Sequence, residues 1–163
     1  MTKAVAFWPL FVLVFVTDWI TKRLAVANLS PAHVPHEIVG DYLRFTLAYN
    51  PNAAMGLSLG SFSRAGFAVF AVVMLVILGS IYHKLATRER LQAAALALIA
   101  AGALGNLTDR LTSSLGVVDF IDVGFGDNRF WTFNVADAAV STGAVLLILL
   151  SRREPRKAEP SGS

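Results

Sequence analysis

Five aspartates stand at or near the ends of apolar segments: Asp18, Asp109, Asp119, Asp122 and Asp137. Carboxylates in such places are costly, so each is a candidate for function. Two carboxylates held close together cannot both ionise, and they share a proton. The ionised one can then activate a water while the protonated one polarises a carbonyl. The chain has no cysteine and no H-E-x-x-H, which leaves carboxylates as candidate catalysts for cleaving a peptide bond.

Asp137 lies at the start of the last apolar segment, three residues after Asn134. Asparagine is a favoured N-cap residue, which places Asp137 at the third helical position. An acid there also fits a purely structural capping box that complements the helix dipole. The motif by itself leaves catalysis and capping equally open.

Asp119 and Asp122 share the strand-like segment Val117–Val123. Their odd spacing predicts that they point to opposite faces of a strand. Asp119 has apolar neighbours on both sides, a setting that raises the pKa of a carboxyl. We therefore expect Asp119 to face a site, whereas a solvated loop acid is the better interpretation of Asp122.

Asp18 and Lys22 lie on one face of the first predicted helix, in the order that favours an ion pair. We interpret this pair as structural. Ala25–Ala27 imitates a cleavage site for a secretory signal, but charged residues separate it from the apolar run. The sequence thus favours a retained helix.

A second polar group ends the third apolar segment: Gly105, Asn106, Asp109 and Arg110. Gly105 allows close approach of another backbone, and Asn106 offers both amide donors and an acceptor. Arg110 is a permanent cation that can bind a carbonyl, a carboxylate or a lipid phosphate. An interfacial anchor without catalytic function fits the spacing equally well.

The composition indicates that these residues are positioned by a membrane domain. Hydrophobic residues make up 55% of the 163 residues and charged residues 15%, where soluble domains have about a quarter. Mean hydropathy is +0.59. Four apolar stretches of about 17 or 18 residues are near the ~17–25 that a membrane-spanning helix needs. They are Ala4–Ile20, Ala65–Tyr82, Leu91–Leu107 and Phe133–Leu150.

Basic residues favour one orientation. Lys3, the connector His83–Arg90 and the tail after Ser151 carry most of them, so these parts and both termini are predicted to be cytoplasmic. We expect a membrane domain at residues 1–151 and a disordered cytoplasmic tail at 152–163. The basic residues cluster at segment ends and form no stripe of the kind that binds nucleic acid.

Two longer connectors are predicted on the outer side. In residues 28–64, the stretch Asp41–Tyr49 has β-forming residues in rough alternation, and Val117–Val123 is a second strand candidate. The predicted fold is therefore an all-α membrane protein of four transmembrane helices with a small extracytoplasmic β-like region. His33 and His36 have the types to bind a metal, but their place beside prolines favours ordinary loop residues.

Five segments resemble, in order, the motif blocks of the lipoprotein signal peptidase family, and only the tail is left uncovered. Any one block is weak, but five in order are specific. The segments are Asp18-Trp19-Ile20-Thr21-Lys22, Asn50-x-x-Ala53-Ala54-Met55-Gly56, Gly102-x-x-Gly105-Asn106-x-x-Asp109-Arg110, Val117-Val118-Asp119-Phe120-Ile121-Asp122 and Phe133-Asn134-x-Ala136-Asp137.

The resemblance implies an aspartyl endopeptidase of the bacterial inner membrane that works without metal or cofactor. It implies removal of signal peptides from prolipoproteins, with the cut just before a diacylglyceryl-modified cysteine, near the outer face. Membrane lipids are the other implied partner, and we expect a monomer. The catalytic pair falls on Asp119 and Asp137. The family's support residues fall on Asp18, Lys22, Asn50, Gly105, Asn106, Asp109, Arg110 and Asn134.

The sequence departs from the family pattern at Asn52, where the family usually has glycine. Asparagine tolerates left-handed backbone better than most residues, so the turn can persist. Three other classes of function stay open on the residues alone. They are a proton-coupled transporter using Asp18 and Asp137, a lipid enzyme holding Mg²⁺ between Asp119, Asp122 and Asp137, and a non-catalytic assembly subunit.

Overall fold

The computed structural model describes residues 2–51, 60 and 63–152. Asn52 and the tail from Arg153 onward lie outside these residues, as does part of the predicted 28–64 region. The described chain folds into four helices and one four-stranded sheet. The elements are α1 (Lys3–Asn28), β1 (Pro35–Val39), β2 (Leu43–Asn50), α2 (Ser63–Lys84), α3 (Arg90–Thr112), β3 (Val117–Phe125), β4 (Asn128–Arg129) and α4 (Val135–Ser151).

Each predicted apolar stretch lies largely within one helix. Among the described residues, α1, α2 and α3 are long and apolar enough to cross a membrane, and α4 is a shorter apolar helix. Helices α1 and α3 run several residues past their apolar stretches. Helix α4 begins two residues later than its stretch, because Asn134 caps it. Large apolar side chains such as Leu13, Val69 and Phe70 are exposed, as expected for surfaces covered by lipid.

Helix α3 is the centre of the bundle and packs against the other three helices. Seven of its nine buried residues are alanine or glycine. A side chain at Gly102 would overlap the carbonyl oxygen of Ala136 on α4, so only glycine permits this approach. Small residues at such crossings are typical of helix packing in membranes.

The sheet lies at the C-terminal end of α1. Its strand order is β1-β2-β3-β4, and all neighbours are antiparallel. Leu47, Val118 and Phe120 pack with Ala25 of α1 in a core separate from that of the helices. The two predicted strands correspond to β2 and β3, whereas β1 and β4 were not predicted. A β-bulge interrupts the pairing of β2 with β3 between Phe45 and Ala48.

The opposite end of the bundle gathers the basic residues of the N-terminus and the α2–α3 connector. The Nζ atom of Lys3 donates to the carbonyl oxygens of Tyr82 and Leu85 at 2.8 and 2.6 Å. The backbone N–H of Lys3 donates to Thr87 O at 2.9 Å. The chain start and this connector are therefore neighbours at the end away from the sheet.

Candidate active site

Asp119 is buried near the start of β3. The side-chain amide of Asn134 donates to its Oδ1 at 2.7 Å, and the side chain of Asn50 also hydrogen-bonds to it. The strand is held against the segment before α4, since the N–H of Ile121 donates to Phe133 O at 2.8 Å. Strand β3, which carries Asp119, thus lies between β2 on one edge and the segment before α4 on the other.

Asp137 is in the first turn of α4. Its N–H donates to Asn134 Oδ1 at 2.9 Å, and its Oδ2 accepts from the N–H of Asn134 at 3.3 Å, which completes a capping box. Its other oxygen, Oδ1, accepts from the side-chain amide of Asn106 at 2.7 Å. The capping box, one of the two alternatives that the sequence left open, is present. It leaves Oδ1 of Asp137 directed toward α3.

The two carboxylates line one cavity of about 390 Å³ between the sheet, α3 and α4. Asn106 and Arg110 line it from α3. Phe130 and Trp131, both more than half exposed, form its rim on the β4–α4 connector. The cavity therefore combines two acids, a fixed cation and an apolar edge.

The environment gives Asp119 an unusual protonation. Burial, and second the negative charge of Asp137, raise its pKa to about 7, against hydrogen bonds from Asn134 and Asn50 that favour the ionised form. A carboxyl that keeps its proton near neutral pH beside a second carboxylate is the arrangement needed for acid–base chemistry on one water.

Lys22 joins the first and third helices behind the cavity, and it is almost fully buried. Its Nζ lies 2.8 Å from Oδ2 of Asp18 and 2.9 Å from Oδ2 of Asp109. It also donates to Oδ1 of Asn106 at 2.9 Å. That same oxygen accepts from the amide of Asn134 at 3.2 Å. Asn106 alone thus separates Lys22 from Asp137 in this chain of hydrogen bonds.

Asp18 reaches across to α4, where its Oδ1 accepts from the N–H of Ala136 at 2.8 Å. A side chain at Gly105 would overlap Oδ2 of Asp18, so glycine makes the room for this carboxylate. Asp109 accepts from the N–H of Val118 at 3.2 Å and so ties α3 to β3. Both acids hold the elements that carry the candidate pair.

Arg110 follows one turn after Asn106 and donates to its carbonyl oxygen at 3.1 Å. Its guanidinium lies 5.9 Å from the ring centre of Phe67 on α2 and interacts electrostatically with Asp119 and Asp137. The cation is therefore held over the cavity, where it can attract a carbonyl or an anionic group.

The comparisons with known proteins agree on one family. The model of signal peptidase (SPase) II matches residues 10–153. The chain belongs to the signal peptidase II family. It is 41% identical over 153 residues to the lipoprotein signal peptidase of Pseudomonas paraeruginosa, covering 91% of this chain and 88% of that one. With the lipoprotein signal peptidase of Streptomyces coelicolor it shares 39% identity over 140 residues, 85% of this chain and 66% of the other.

Solved structures show the same fold. One bacterial membrane enzyme, solved by the in meso method at 2.3 Å resolution, superposes with a TM-score of 0.80 at 28% identity, covering 94% of this chain and 92% of that one. A second, at 1.9 Å, superposes with a TM-score of 0.77 at 30% identity, covering 89% and 91%. As a member of this family the chain is a peptidase and a multi-pass protein of the bacterial inner membrane.

The structure brings together every site residue predicted from sequence. The interpretation of Asp122 as a solvated acid is wrong, because it is buried between Arg44 and Arg129. Those two arginines were missed, since arginines on exposed-looking strand segments carry no signal before the strand register is known. Asp122 is also committed to these cations on the face away from Asp119, so it is not placed to share an ion with the pair.

Proposed function

We propose that this protein is an aspartyl endopeptidase that removes the signal peptide from prolipoproteins, with Asp119 and Asp137 as its catalytic pair. The observation that carries the proposal is the shared cavity, in which one carboxyl keeps a proton near neutral pH beside the other carboxylate. The printed function of the relatives, lipoprotein signal peptidase, supplies the substrate class.

The reaction uses one water. Asp137, as carboxylate, takes a proton from the water while the water oxygen bonds to the scissile carbonyl carbon. Asp119, as acid, donates its proton toward the carbonyl oxygen, which gives a neutral tetrahedral diol. Asp137 then passes the proton that it took from the water to the amide nitrogen, while Asp119 takes a proton back from one diol hydroxyl. The C–N bond breaks, and the products are a new carboxyl and a new amine. The two acids titrate as a pair, so each cycle restores one shared proton.

The support residues keep this pair in place. Asn106 and Asn134 donate to the two carboxylates, and Asn50 hydrogen-bonds to Asp119. Arg110 offers its charge to a substrate carbonyl or lipid head group at the cavity. Lys22, Asp18, Asp109 and Gly105 fix the helices behind it, so we assign them positioning roles.

The topology we propose has four membrane spans, with α4 as the fourth, and both termini in the cytoplasm. The cluster of Lys3 with the α2–α3 connector at the end away from the sheet supports this orientation by the positive-inside rule. The sheet and the cavity then lie near the outer face. The substrate enters sideways from the bilayer and is cut before its diacylglyceryl-modified cysteine, by a monomer in contact with membrane lipids.

The test is cleavage of a diacylglyceryl-modified prolipoprotein by purified protein in detergent, with chelator present. Wild type is compared with Asp119→Asn and Asp137→Asn, and folding is checked by size-exclusion chromatography. We expect cleavage by wild type and a loss of at least about a thousandfold in each variant. Turnover by both variants at the wild-type rate would contradict the assignment of Asp119 and Asp137 as the catalytic pair. Loss of wild-type cleavage with chelator would point instead to a metal-dependent reaction.

A further inference from the structure

A cluster of four charges lies on the face of β3 opposite to Asp119. It consists of Asp41, Arg44, Asp122 and Arg129, and we call it the ionic clasp. Two acids and two bases make it neutral overall. Asp122 is buried at its centre, and both arginines are mostly buried.

Asp122 is fully occupied within the clasp. Its Oδ1 accepts from Nε of Arg129 at 2.5 Å. Its Oδ2 accepts from Nε of Arg44 at 3.2 Å and from the hydroxyl of Thr46 at 3.0 Å. Burial raises the pKa of Asp122, but the hydrogen bonds from Arg129, Thr46 and Arg44 together outweigh it, so the pKa is lowered. The carboxylate is thus ionised near neutral pH.

Asp41 closes the cluster from the β1–β2 turn. Its Oδ1 lies 3.0 Å from Nη1 of Arg44 and 3.4 Å from Nη1 of Arg129. Arg129 also donates to the carbonyl oxygen of Asp41 at 2.9 Å and to that of Asp122 at 3.2 Å. Each guanidinium therefore bridges both acids, and Asp41 links the turn to the β3–β4 hairpin.

The clasp connects the two parts of the chain that carry the candidate pair. Asp122 follows Asp119 by three residues on β3. Arg129 ends β4 and begins the short connector that reaches Asn134, the cap of α4. Backbone bonds continue from the clasp along this path, with the N–H of Phe130 donating to Val123 O at 2.8 Å and that of Phe133 to Ile121 O at 3.0 Å.

Backbone pairing alone holds this region weakly. Strand β4 has only two residues. The bulge in β2 lies between the Arg44–Asp122 pair and the Ala48–Asp119 pair, and a bulge disrupts the ladder where it occurs. The charges of the clasp lie on one side of the bulge and Asp119 on the other, so the clasp adds side-chain bonds to the ladder that joins them.

We propose that Asp122 is a positioning residue for peptide cleavage, and that the ionic clasp sets the placement of Asp119 relative to Asp137. The inference rests on the proposed function, because it concerns the geometry of that catalytic pair. Asp122 touches no substrate in this mechanism and acts only through β3 and the β4–α4 connector.

The test compares Asp122→Asn with Asp127→Asn. Asp127 lies exposed in the same hairpin and makes no ion pair among the described residues, so the control has the same chemical change without the clasp. The assay is steady-state cleavage of the lipid-modified prolipoprotein, with kcat referred to folded enzyme. We expect kcat of Asp122→Asn to fall by about tenfold to a hundredfold with KM nearly unchanged, as a misplacement of about 1 Å costs up to ~10² in rate. Asp127→Asn keeps the wild-type values.

A double-mutant cycle separates positioning from general stabilisation. Arg129→Gln should lower kcat in the same way, and Asp122→Asn with Arg129→Gln should lower it no further than either alone. A purely structural role would reduce the amount of folded protein and leave kcat of the folded fraction intact. If Asp122→Asn does not fold, Arg44→Gln and Arg129→Gln are measured as single variants.

Wild-type kcat in folded Asp122→Asn, or in both arginine variants, would overturn the positioning role while leaving the catalytic pair untouched. Turnover in Asp119→Asn and Asp137→Asn would instead contradict the catalytic assignment of these two residues. Additive losses in the cycle would show that Asp122 and Arg129 act separately and would also contradict the clasp.

Discussion

Gly105 is predicted to be intolerant of even one methyl group. A side chain there would overlap Oδ2 of Asp18, which is 1% exposed. Asp18 would have to leave its place between Lys22 and the N–H of Ala136. We therefore expect Gly105→Ala to lower both stability and activity, because Ala136 directly precedes Asp137.

The size of the effect follows from what is lost. Removing one partner from a buried ion pair costs about 3–5 kcal/mol. Alanine regains about 1 kcal/mol over glycine as a helix former. The net loss is then about 2–4 kcal/mol in the free energy of unfolding. For a chain of this length each kcal/mol lowers Tm by about 2–4 °C, which gives a fall of roughly 4–16 °C.

Gly79→Ala is the matched control, since Gly79 lies on α2 and a side chain there would meet nothing within 4 Å. It should be equally stable or more stable by up to about 1 kcal/mol. Thermal unfolding in detergent, followed by tryptophan fluorescence, compares both variants with wild type, and the cleavage assay follows kcat. Equal Tm and kcat in Gly105→Ala and wild type would refute the close packing of Gly105 on Asp18.

Two further predictions concern the cavity. Because the pKa of Asp119 is raised from 3.8 to about 7, the folded protein binds the proton of this carboxyl more tightly than the unfolded chain does. The stability this contributes is present below about pH 4 and is lost as the pH rises toward 7. The catalytic acid is lost over the same upper range, so kcat/KM should fall above about pH 7. Infrared difference spectra should show a protonated carboxyl near pH 6 that Asp119→Asn removes, and its absence from wild type would contradict the shift. Trp131→Ala should raise KM for the lipid-modified substrate by about tenfold, because the ring is 62% exposed at the cavity rim and offers apolar area to a substrate. Trp8→Ala, 54% exposed on α1, is the control, and an equal KM in both variants would exclude this contact.

Local signals in the sequence were sufficient for much of the fold. Apolar length predicted the helices, and the spacing of Asn134 and Asp137 predicted the cap that the structure has. The pairing of Asp18 with Lys22 was also predicted, since one helical turn separates them. In each case the partners are neighbours in the chain, and regular helix geometry alone brings them together.

Contacts between distant residues could not be predicted in the same way. Asp122 was misjudged because its partner Arg44 lies on another strand, and the register that joins them depends on a bulge. The link from Lys22 to Asp109 and Asn106 was likewise invisible, because it depends on how α1 crosses α3. Only the family resemblance assigned Lys22, Asn106 and Asp109 to one site from the sequence, and it did not predict which of their atoms are in contact.

The amide of Asn106 has a fixed orientation, and the reason lies in the first helix. Lys22 has only hydrogens to offer, so the atom of Asn106 that meets it must be the oxygen. The nitrogen is then turned toward Asp137 and presents hydrogens to Oδ1. Lys22, which touches no substrate in this mechanism, thereby determines that Asp137 meets a hydrogen-bond donor on α3 and not an acceptor.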